Sequence, residues 1–73
     1  MTKEEFYELF EQICGIKGDD NLNFVEEDNF NSVACISMMS ELESRGAALD
    51  IMDIMECGTL IDFYNLVKAE IDE

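Results

Sequence analysis

Apolar residues recur every three or four positions near the start of the chain, which predicts an amphipathic helix over residues 3–14. Its apolar stripe consists of Phe6, Leu9, Phe10, Ile13 and Cys14. Thr2 is a favourable N-cap, and Glu5 three residues later completes a capping box. Gly15 then supplies the left-handed residue with which many helices end.

Residues 17–30 show no sustained period, so we predict a long ordered loop there. The turn-forming residues of this stretch are Gly18, Asp19, Asp20, Asn21 and Asn23, and its apolar residues are Leu22, Phe24, Val25 and Phe30. So many apolar residues are unusual in a free linker, and we expect them to fill the core from outside, with room for one short helical turn. A calcium loop of the EF-hand type is excluded, because Phe24 and Phe30 stand where it needs glycine and glutamate.

A second periodic segment predicts a helix over residues 32–44. Asn31 precedes it and is a favourable N-cap, because its side-chain oxygen can accept an N–H of the first turn. The residues expected to face inward are Cys35, Met38, Met39 and Leu42, with Ile36 at the edge of the stripe. The opposite face holds Val33, Ser37, Ser40, Glu41 and Ser44. We expect that outer face to be small and nearly neutral.

Two shorter patterns complete the chain after a break at Gly46. Residues 51–56 predict a short helix capped by Asp50 and ended by Gly58. Its inward residues are expected to be Ile51, Ile54 and Met55, and its outward residues Asp53 and Glu56. Thr59 caps the last helix, with Asp62 at the third helical position. The apolar stripe of that helix is Leu60, Phe63, Tyr64, Val67 and Ile71, widened by Leu66.

No strand-like alternation competes with these helical patterns. We therefore predict an all-α fold: a small four-helix bundle of three main helices and a short third one, with a long loop between the first two. The 73 residues are expected to form a single domain, residues 1–73.

Net charge narrows the possible partners. Eighteen acidic residues against four basic ones give a formal charge of −14. Such a chain repels nucleic acid and anionic membranes, so we expect neither nucleic-acid binding nor membrane insertion. We expect partners with basic patches. The N-terminal residues lack the apolar region of a signal peptide, and the expected location is cytoplasmic.

The three cysteines, Cys14, Cys35 and Cys57, are an odd number at wide spacing, and the chain has no histidine. This pattern predicts neither a disulfide framework nor a zinc site. We expect three buried thiols in a reducing compartment and no metal.

Ser32 is the strongest candidate for chemistry. If Asn31 caps the helix, the Ser32 hydroxyl is not needed for capping and projects at the positive end of the helix dipole, a favourable place for a phosphate. No base neighbours Ser32 in the sequence, and no Ser/His or Cys/His pair exists. We therefore expect a protein modified by an enzyme and not an enzyme itself. The alternative is an unmodified acidic helical interaction module in which Asn31 and Ser32 only start a helix.

The order of elements and two stretches resemble the acyl and peptidyl carrier proteins. Residues 24–33, Phe-Val-Glu-Glu-Asp-Asn-Phe-Asn-Ser-Val, look like the family's loop Phe-x-(acid)-(acid)-Leu-Gly-x-Asp-Ser-Leu. Residues 57–60 and 63–67 are similar to the start of the family's last helix. The resemblance implies that Ser32 bears a 4′-phosphopantetheine arm, attached from coenzyme A by a Mg²⁺-dependent phosphopantetheinyl transferase. An acyl or aminoacyl group would be held on the arm's thiol as a thioester.

The resemblance also implies partners: the transferase, acyl- or aminoacyl-loading ligases and other thioester-using enzymes of fatty acid, polyketide or nonribosomal peptide biosynthesis. We expect a monomer that these partners recognise through Asn31, Val33, Glu26, Glu27, Asp28, Glu41, Asp53 and Glu56.

The sequence departs from the family pattern at several positions. Asn31 replaces the family's aspartate, Asp28 its leucine and Val33 a second leucine. Asn29 replaces a glycine and is expected to keep the turn by tolerating positive φ. Acidic positions that fatty-acid carriers present on the second helix are Ala34 and Ser37 here. These departures suggest a dedicated carrier for a specialised pathway.

Overall fold

The computed structural model describes residues 1–71, and all of their regular structure is helical. Helix α1 spans Lys3–Cys14, a 3₁₀ turn Phe24–Glu26, helix α2 Ser32–Ser44, helix α3 Ile51–Met55 and helix α4 Leu60–Ile71. Over this part of the chain there is no strand. None of the helices in residues 1–71 combines the length and the hydrophobicity that a membrane span requires. The predicted all-α fold is confirmed, as are the bounds of the first two helices. Helix α3 ends one residue earlier than predicted, at Met55.

Local signals explain where the helices begin. At α1 the Thr2 N–H donates to Glu5 Oε1 at 2.8 Å and the Thr2 hydroxyl accepts from Glu5 N at 3.2 Å, so the predicted capping box is present. Gly15 ends the helix with φ of 71°. At α3 the Asp50 carboxylate accepts from Met52 N. Helix α4 begins after Thr59, whose carbonyl accepts from Phe63 N as in any first helical turn. The capping of α4 by the Thr59 side chain, with Asp62, stays a prediction.

Phenylalanine rings form the centre of the core. Phe24 stacks on Phe63 with ring centroids 5.1 Å apart and meets Phe30 edge-on at 4.9 Å. Phe6 meets Phe63 edge-on at 5.0 Å, and Phe10 stacks on Phe30 at 6.2 Å. Two of these five rings come from the long loop, which confirms that the loop fills the core. Aromatic pairs of this kind add roughly 0.5–1.5 kcal/mol each to the free energy of area burial.

The first half of the long loop is tied to two helices. The Tyr7 hydroxyl of α1 donates to Asp20 Oδ1 at 2.7 Å, and Lys3 Nζ lies 3.2 Å from the same oxygen. The backbone N–H groups of Leu60 and Ile61 donate to the carbonyls of Leu22 and Asp20. The loop thus satisfies two N–H groups that the first turn of α4 leaves unpaired.

The same contacts shift two pKa values in opposite directions. Burial, reinforced by the hydrogen bond to Asp20, raises the pKa of Tyr7. The hydrogen bonds from Tyr7 and Lys3 lower the pKa of Asp20. Asp20 therefore accepts its hydrogen bonds as a carboxylate at neutral pH.

Gly18 is required where the loop crosses α1. A Cβ at this position would lie 2.7 Å from both Cβ and Cγ of Tyr7, closer than real Cβ atoms approach. We expect Gly18→Ala to destabilise the fold by about 1–3 kcal/mol, as overpacking does. For a domain of this size, that corresponds to a melting temperature lowered by roughly 5–20 °C.

Gly58→Ala is the matched control for this prediction. There the new Cβ would meet Asp62 at 3.5 Å, an ordinary contact. Thermal denaturation followed by circular dichroism compares the two variants. Equal melting temperatures would contradict the role given to Gly18.

Two predictions about buried faces are wrong. Ile51 and Met55 of α3 were expected to point inward, yet 44% of the Ile51 surface and 47% of the Met55 surface are exposed. Only Ile54 of this helix is fully buried. A helix of five residues makes little more than one turn, so it can press only one side chain fully into the core. Ala34 of α2 differs in the other direction: it is buried, although the family pattern placed it at an outward position.

The remaining face predictions hold with smaller adjustments. Cys35, Met38 and Leu42 of α2 are buried as expected. Met39 is only partly buried. Leu60, Phe63 and Val67 of α4 are buried, whereas Tyr64 and Ile71 lie at the margin of the core.

Candidate functional site

Ser32 is the first residue of α2, and the cap beside it leaves its hydroxyl unused. Asn31 has an extended backbone, and its Oδ1 accepts from Ala34 N at 2.9 Å. The Asn31 carbonyl accepts from Cys35 N at 2.9 Å. Ser32 is exposed, and no hydrogen bond found within residues 1–71 involves its hydroxyl. The predicted capping of α2 by Asn31, which does not involve the Ser32 hydroxyl, is confirmed.

The residues around Ser32 hold its backbone in place. Phe30 and Ala34 are both buried, each with 6% of its surface exposed, so the chain is anchored two residues before and two residues after the serine. A turn closed by Phe30 N donating to Glu27 O at 3.0 Å leads into this segment. Ser32 is therefore an exposed side chain on a fixed backbone.

The turn before the site does not need a left-handed residue. No non-glycine residue among residues 1–71 has a positive φ, so the expectation for Asn29 is wrong. Asp28 and Asn29 form the middle of the turn with ordinary backbone angles. For this reason the family's glycine can be replaced here without strain.

An apolar groove of about 310 Å³ adjoins Ser32. It is lined by Phe30, Asn31, Ser32, Cys35, Ile51 and Met55. The two residues of α3 that were expected in the core instead form one side of this groove. Sequence periodicity missed the groove because its lining comes from α3 and from the start of α2, which are nineteen residues apart in the sequence.

The turn before Ser32, α2 and α3 all carry acidic residues at the surface. The six predicted recognition carboxylates are all exposed: Glu26, Glu27, Asp28, Glu41, Asp53 and Glu56. They come from the turn before Ser32, from α2 and from α3. Their role in partner recognition stays a prediction.

Apolar side chains are also exposed near the serine, and the sequence pattern predicted fewer of them. They are Val33 and Ile36 on α2, and Ile51, Met52 and Met55 on α3. Val33 and Ile36 are 73% and 61% exposed. The outer face of α2 is thus partly apolar, whereas the sequence predicted a small and nearly neutral face. Its start, together with α3, forms an apolar surface beside Ser32, of the kind that marks interaction sites.

The start of α2 has the chemistry to hold a phosphate ester. The N–H groups of Ser32 and Val33 have no carbonyl partner within the helix, as in every first helical turn. The helix dipole adds positive potential at the same end. An arm attached to the Ser32 oxygen would thus carry its negative phosphate where the backbone is most positive. The residues present therefore fit a phosphate-linked prosthetic group.

The cysteines do not offer an alternative reactive centre. Cys14 and Cys35 are buried and Cys57 is half-buried. Burial raises the pKa of all three thiols, that of Cys14 to about 11. They stay protonated at neutral pH and are poor nucleophiles. Residues 1–71 also contain no group of three or more ligand-type side chains that could hold a metal ion.

Comparison with protein families gives a match over most of the chain. A protein-family model described as "Phosphopantetheine attachment site" matches residues 4–67. The match spans nearly all of α1, the long loop, α2, α3 and the first two turns of α4. No curated protein and no solved structure matches the chain significantly.

Proposed function

Since the chain belongs to the phosphopantetheine attachment site family, whose members carry covalently attached 4′-phosphopantetheine, we propose that Ser32 is its attachment residue. The observation that carries this proposal is the exposed Ser32 hydroxyl at a helix start that Asn31 already caps. Family membership supports a phosphopantetheine-carrier role and does not favour the alternative of an unmodified interaction module.

The other serines of α2 are poorer candidates. Ser44 donates its hydroxyl to the Glu41 carbonyl at 2.7 Å. Ser37 is half-buried, and both Ser37 and Ser40 lie within the body of the helix. Only at Ser32 does an exposed hydroxyl coincide with unpaired N–H groups that favour a phosphate.

Attachment is a phosphoryl-type transfer in which this protein supplies the acceptor oxygen. The Ser32 oxygen forms a bond to the phosphorus that links pantetheine to the nucleotide half of coenzyme A. The bond from that phosphorus to the nucleotide's phosphate oxygen breaks, and adenosine 3′,5′-bisphosphate leaves. The serine proton passes to a base of the transferase, because no side chain among residues 1–71 accepts a hydrogen bond from the Ser32 hydroxyl. Mg²⁺ is supplied in the transferase active site.

The loaded protein then serves other enzymes. Carrier domains interact with phosphopantetheinyl transferases and with thioester-using enzymes. We propose that the protein is a cytoplasmic monomer and that it catalyses no reaction itself. We also propose that it serves a specialised pathway with dedicated partners. The replacement of the family's aspartate by Asn31, and the buried Ala34 at a family acidic position, support such a pathway over housekeeping fatty-acid synthesis.

A direct experiment tests the carrier function. The purified protein is incubated with coenzyme A, Mg²⁺ and a transferase of broad specificity, and its intact mass is measured. We expect one added phosphopantetheine per chain. A chain that stays unmodified under conditions that fully modify a known carrier would contradict the proposal.

Partner binding is expected to depend on charge near Ser32. Neutralising Glu26, Glu27 and Asp28 together as Gln, Gln and Asn should weaken affinity for the transferase several-fold and flatten its salt dependence, because basic patches lose their counterparts. The matched control neutralises Glu4, Glu8 and Glu11 of α1. These residues are exposed, and their neutralisation changes the net charge by the same amount. Affinity is measured by calorimetry between low and high salt.

The two triple variants separate local from overall charge. Equal weakening by both would mean that only net charge matters. A wild-type affinity that does not change with salt would instead assign binding to Val33 and the other exposed apolar residues.

A further inference from the structure

We infer that Phe30 is a positioning residue for the modification of Ser32: its buried ring fixes the backbone that presents the serine hydroxyl to the transferase. The inference rests on the proposed function, because it takes Ser32 as the attachment residue. Phe30 lies in the core with 6% of its surface exposed. We therefore expect it to act through the backbone that leads to Ser32, and not by contact with coenzyme A.

Phe30 connects the segment before Ser32 to two helices. Its ring stacks on Phe10 of α1, with ring centroids 6.2 Å apart. It also meets Phe24 edge-on at 4.9 Å, and Phe24 in turn stacks on Phe63 of α4 at 5.1 Å. Because protein interiors are close-packed, the backbone at Phe30 cannot move far without separating these rings.

Phe30 is the only buried residue between Phe24 and Ala34. Residues 27–29, which lead up to it, are all exposed. Without the Phe30 ring, the nearest fully buried side chain before Ser32 would be that of Phe24, eight residues away. Segments with few buried contacts open locally at a low cost in free energy, so the chain leading to Ser32 would become mobile.

The cap of α2 does not replace this contact, because both hydrogen bonds of Asn31 run forward into the helix. Its Oδ1 accepts from Ala34 N, and its carbonyl accepts from Cys35 N. These bonds set where the helix begins. The direction from which the chain enters the helix is set by the residue before the cap, Phe30.

The place of this buried residue distinguishes the chain from the family's loop pattern. That pattern has leucine at the position of Asp28 and no set residue type at the position of Phe30. Here Asp28 is exposed and Phe30 is buried. The large apolar side chain thus stands two positions closer to Ser32, and the polar turn at Asp28 and Asn29 faces solvent.

A mobile segment before Ser32 would weaken productive binding to the transferase. Transfer requires the serine oxygen in line with the phosphorus of coenzyme A, so only molecules with the correct backbone arrangement bind productively. When the competent fraction falls, KM for the protein substrate rises in inverse proportion, whereas kcat is measured on the bound complex and stays the same. Lower stability alone has no such effect at a temperature where the variant remains fully folded.

Phe30→Leu and Phe10→Leu form a matched pair for the kinetic test. Both variants lose the same stack of two rings and keep an apolar side chain in the core. Phe10 is fully buried in α1, so its replacement costs stability without freeing the segment before Ser32. We expect Phe30→Leu to raise KM about three- to tenfold at unchanged kcat, and Phe10→Leu to change KM less than about twofold. Initial rates are measured with saturating coenzyme A, at a temperature where circular dichroism shows both variants folded.

Amide hydrogen exchange on the unmodified protein gives a second measurement that needs no transferase. The N–H of residue 30 donates to Glu27 O at 3.0 Å and closes the turn before the cap. We expect this amide to lose protection in Phe30→Leu and to keep it in Phe10→Leu. If leucine prevents folding, Phe30→Met takes its place in both measurements, since methionine adapts to irregular gaps in a core.

The outcomes distinguish the inference from the function it rests on. A wild-type KM in Phe30→Leu, an equal rise of KM in Phe10→Leu, or a loss confined to kcat overturns the inference, as does unchanged protection of the residue 30 amide. In those cases the arm is still attached and the carrier function stands. Failure of Ser32 in the wild-type protein to accept the arm overturns the proposed function, and the inference falls with it.

Discussion

Ser32→Ala is expected to abolish phosphopantetheine transfer completely while leaving the fold intact. The substitution removes the acceptor oxygen, and no other group at the start of α2 can replace it. The hydroxyl is exposed and lies outside the hydrogen bonds that build the helix start, which Asn31 makes with Ala34 and Cys35. Alanine is also the best helix former, so α2 should keep its stability.

Intact mass after incubation with coenzyme A and the transferase measures the loss, and circular dichroism with thermal melting checks the fold. Ser40→Ala is the matched control, because Ser40 is an exposed serine on the same helix. It should be modified as fast as the wild type. A Ser32→Ala variant that still gains the arm would show that another residue is the attachment site.

Asn31→Asp is expected to speed modification by a transferase of the fatty-acid type several-fold or more, with an almost constant melting temperature. Stability should hardly change, because aspartate and asparagine cap helices about equally well and a carboxylate oxygen can accept from Ala34 N as Asn31 Oδ1 does at 2.9 Å. The dipole favours the new charge by roughly 0.3–1 kcal/mol. Repulsion within a chain of net charge −14 offsets part of that gain.

Recognition should change more than stability. A transferase that reads the family's aspartate gains a charge-assisted hydrogen bond, worth about 1.5–3 kcal/mol when well formed, or roughly tenfold or more in rate. A time course of modification at equal protein concentration compares the variants. Asn29→Asp serves as the control, since it adds the same charge in the turn, away from the cap. Equal rates for Asn31→Asp and the wild type would show that the missing charge does not select the transferase.

The helices, and the caps of α1, α2 and α3, were predictable because their signals are local. Thr2 with Glu5 and Asn31 before an apolar run each act within three residues. The filling of the core by Phe24 and Phe30 was predictable from their apolar character in an otherwise polar loop. These features follow from propensity and pattern, which the fold obeys at each of these positions.

Other features depend on contacts between distant parts of the chain. The hydrogen bond of Tyr7 to Asp20 joins residues thirteen positions apart, and no periodic pattern encodes it. Ile51 and Met55 look like core residues in the sequence, but α3 has room to bury only Ile54 fully. The groove beside Ser32 arises from this mismatch, so the sequence pointed to the serine but not to the pocket next to it.

The assignment of Ser32 is tested most directly by locating the added group. After complete modification, the protein is digested and the modified peptide is fragmented in a mass spectrometer. We predict one phosphopantetheine per chain, carried by the peptide that contains Asn31 and Ser32, with the fragments assigning it to Ser32. An arm found on Ser37, Ser40 or any other residue, or an unmodified chain beside a fully modified control carrier, would contradict the assignment.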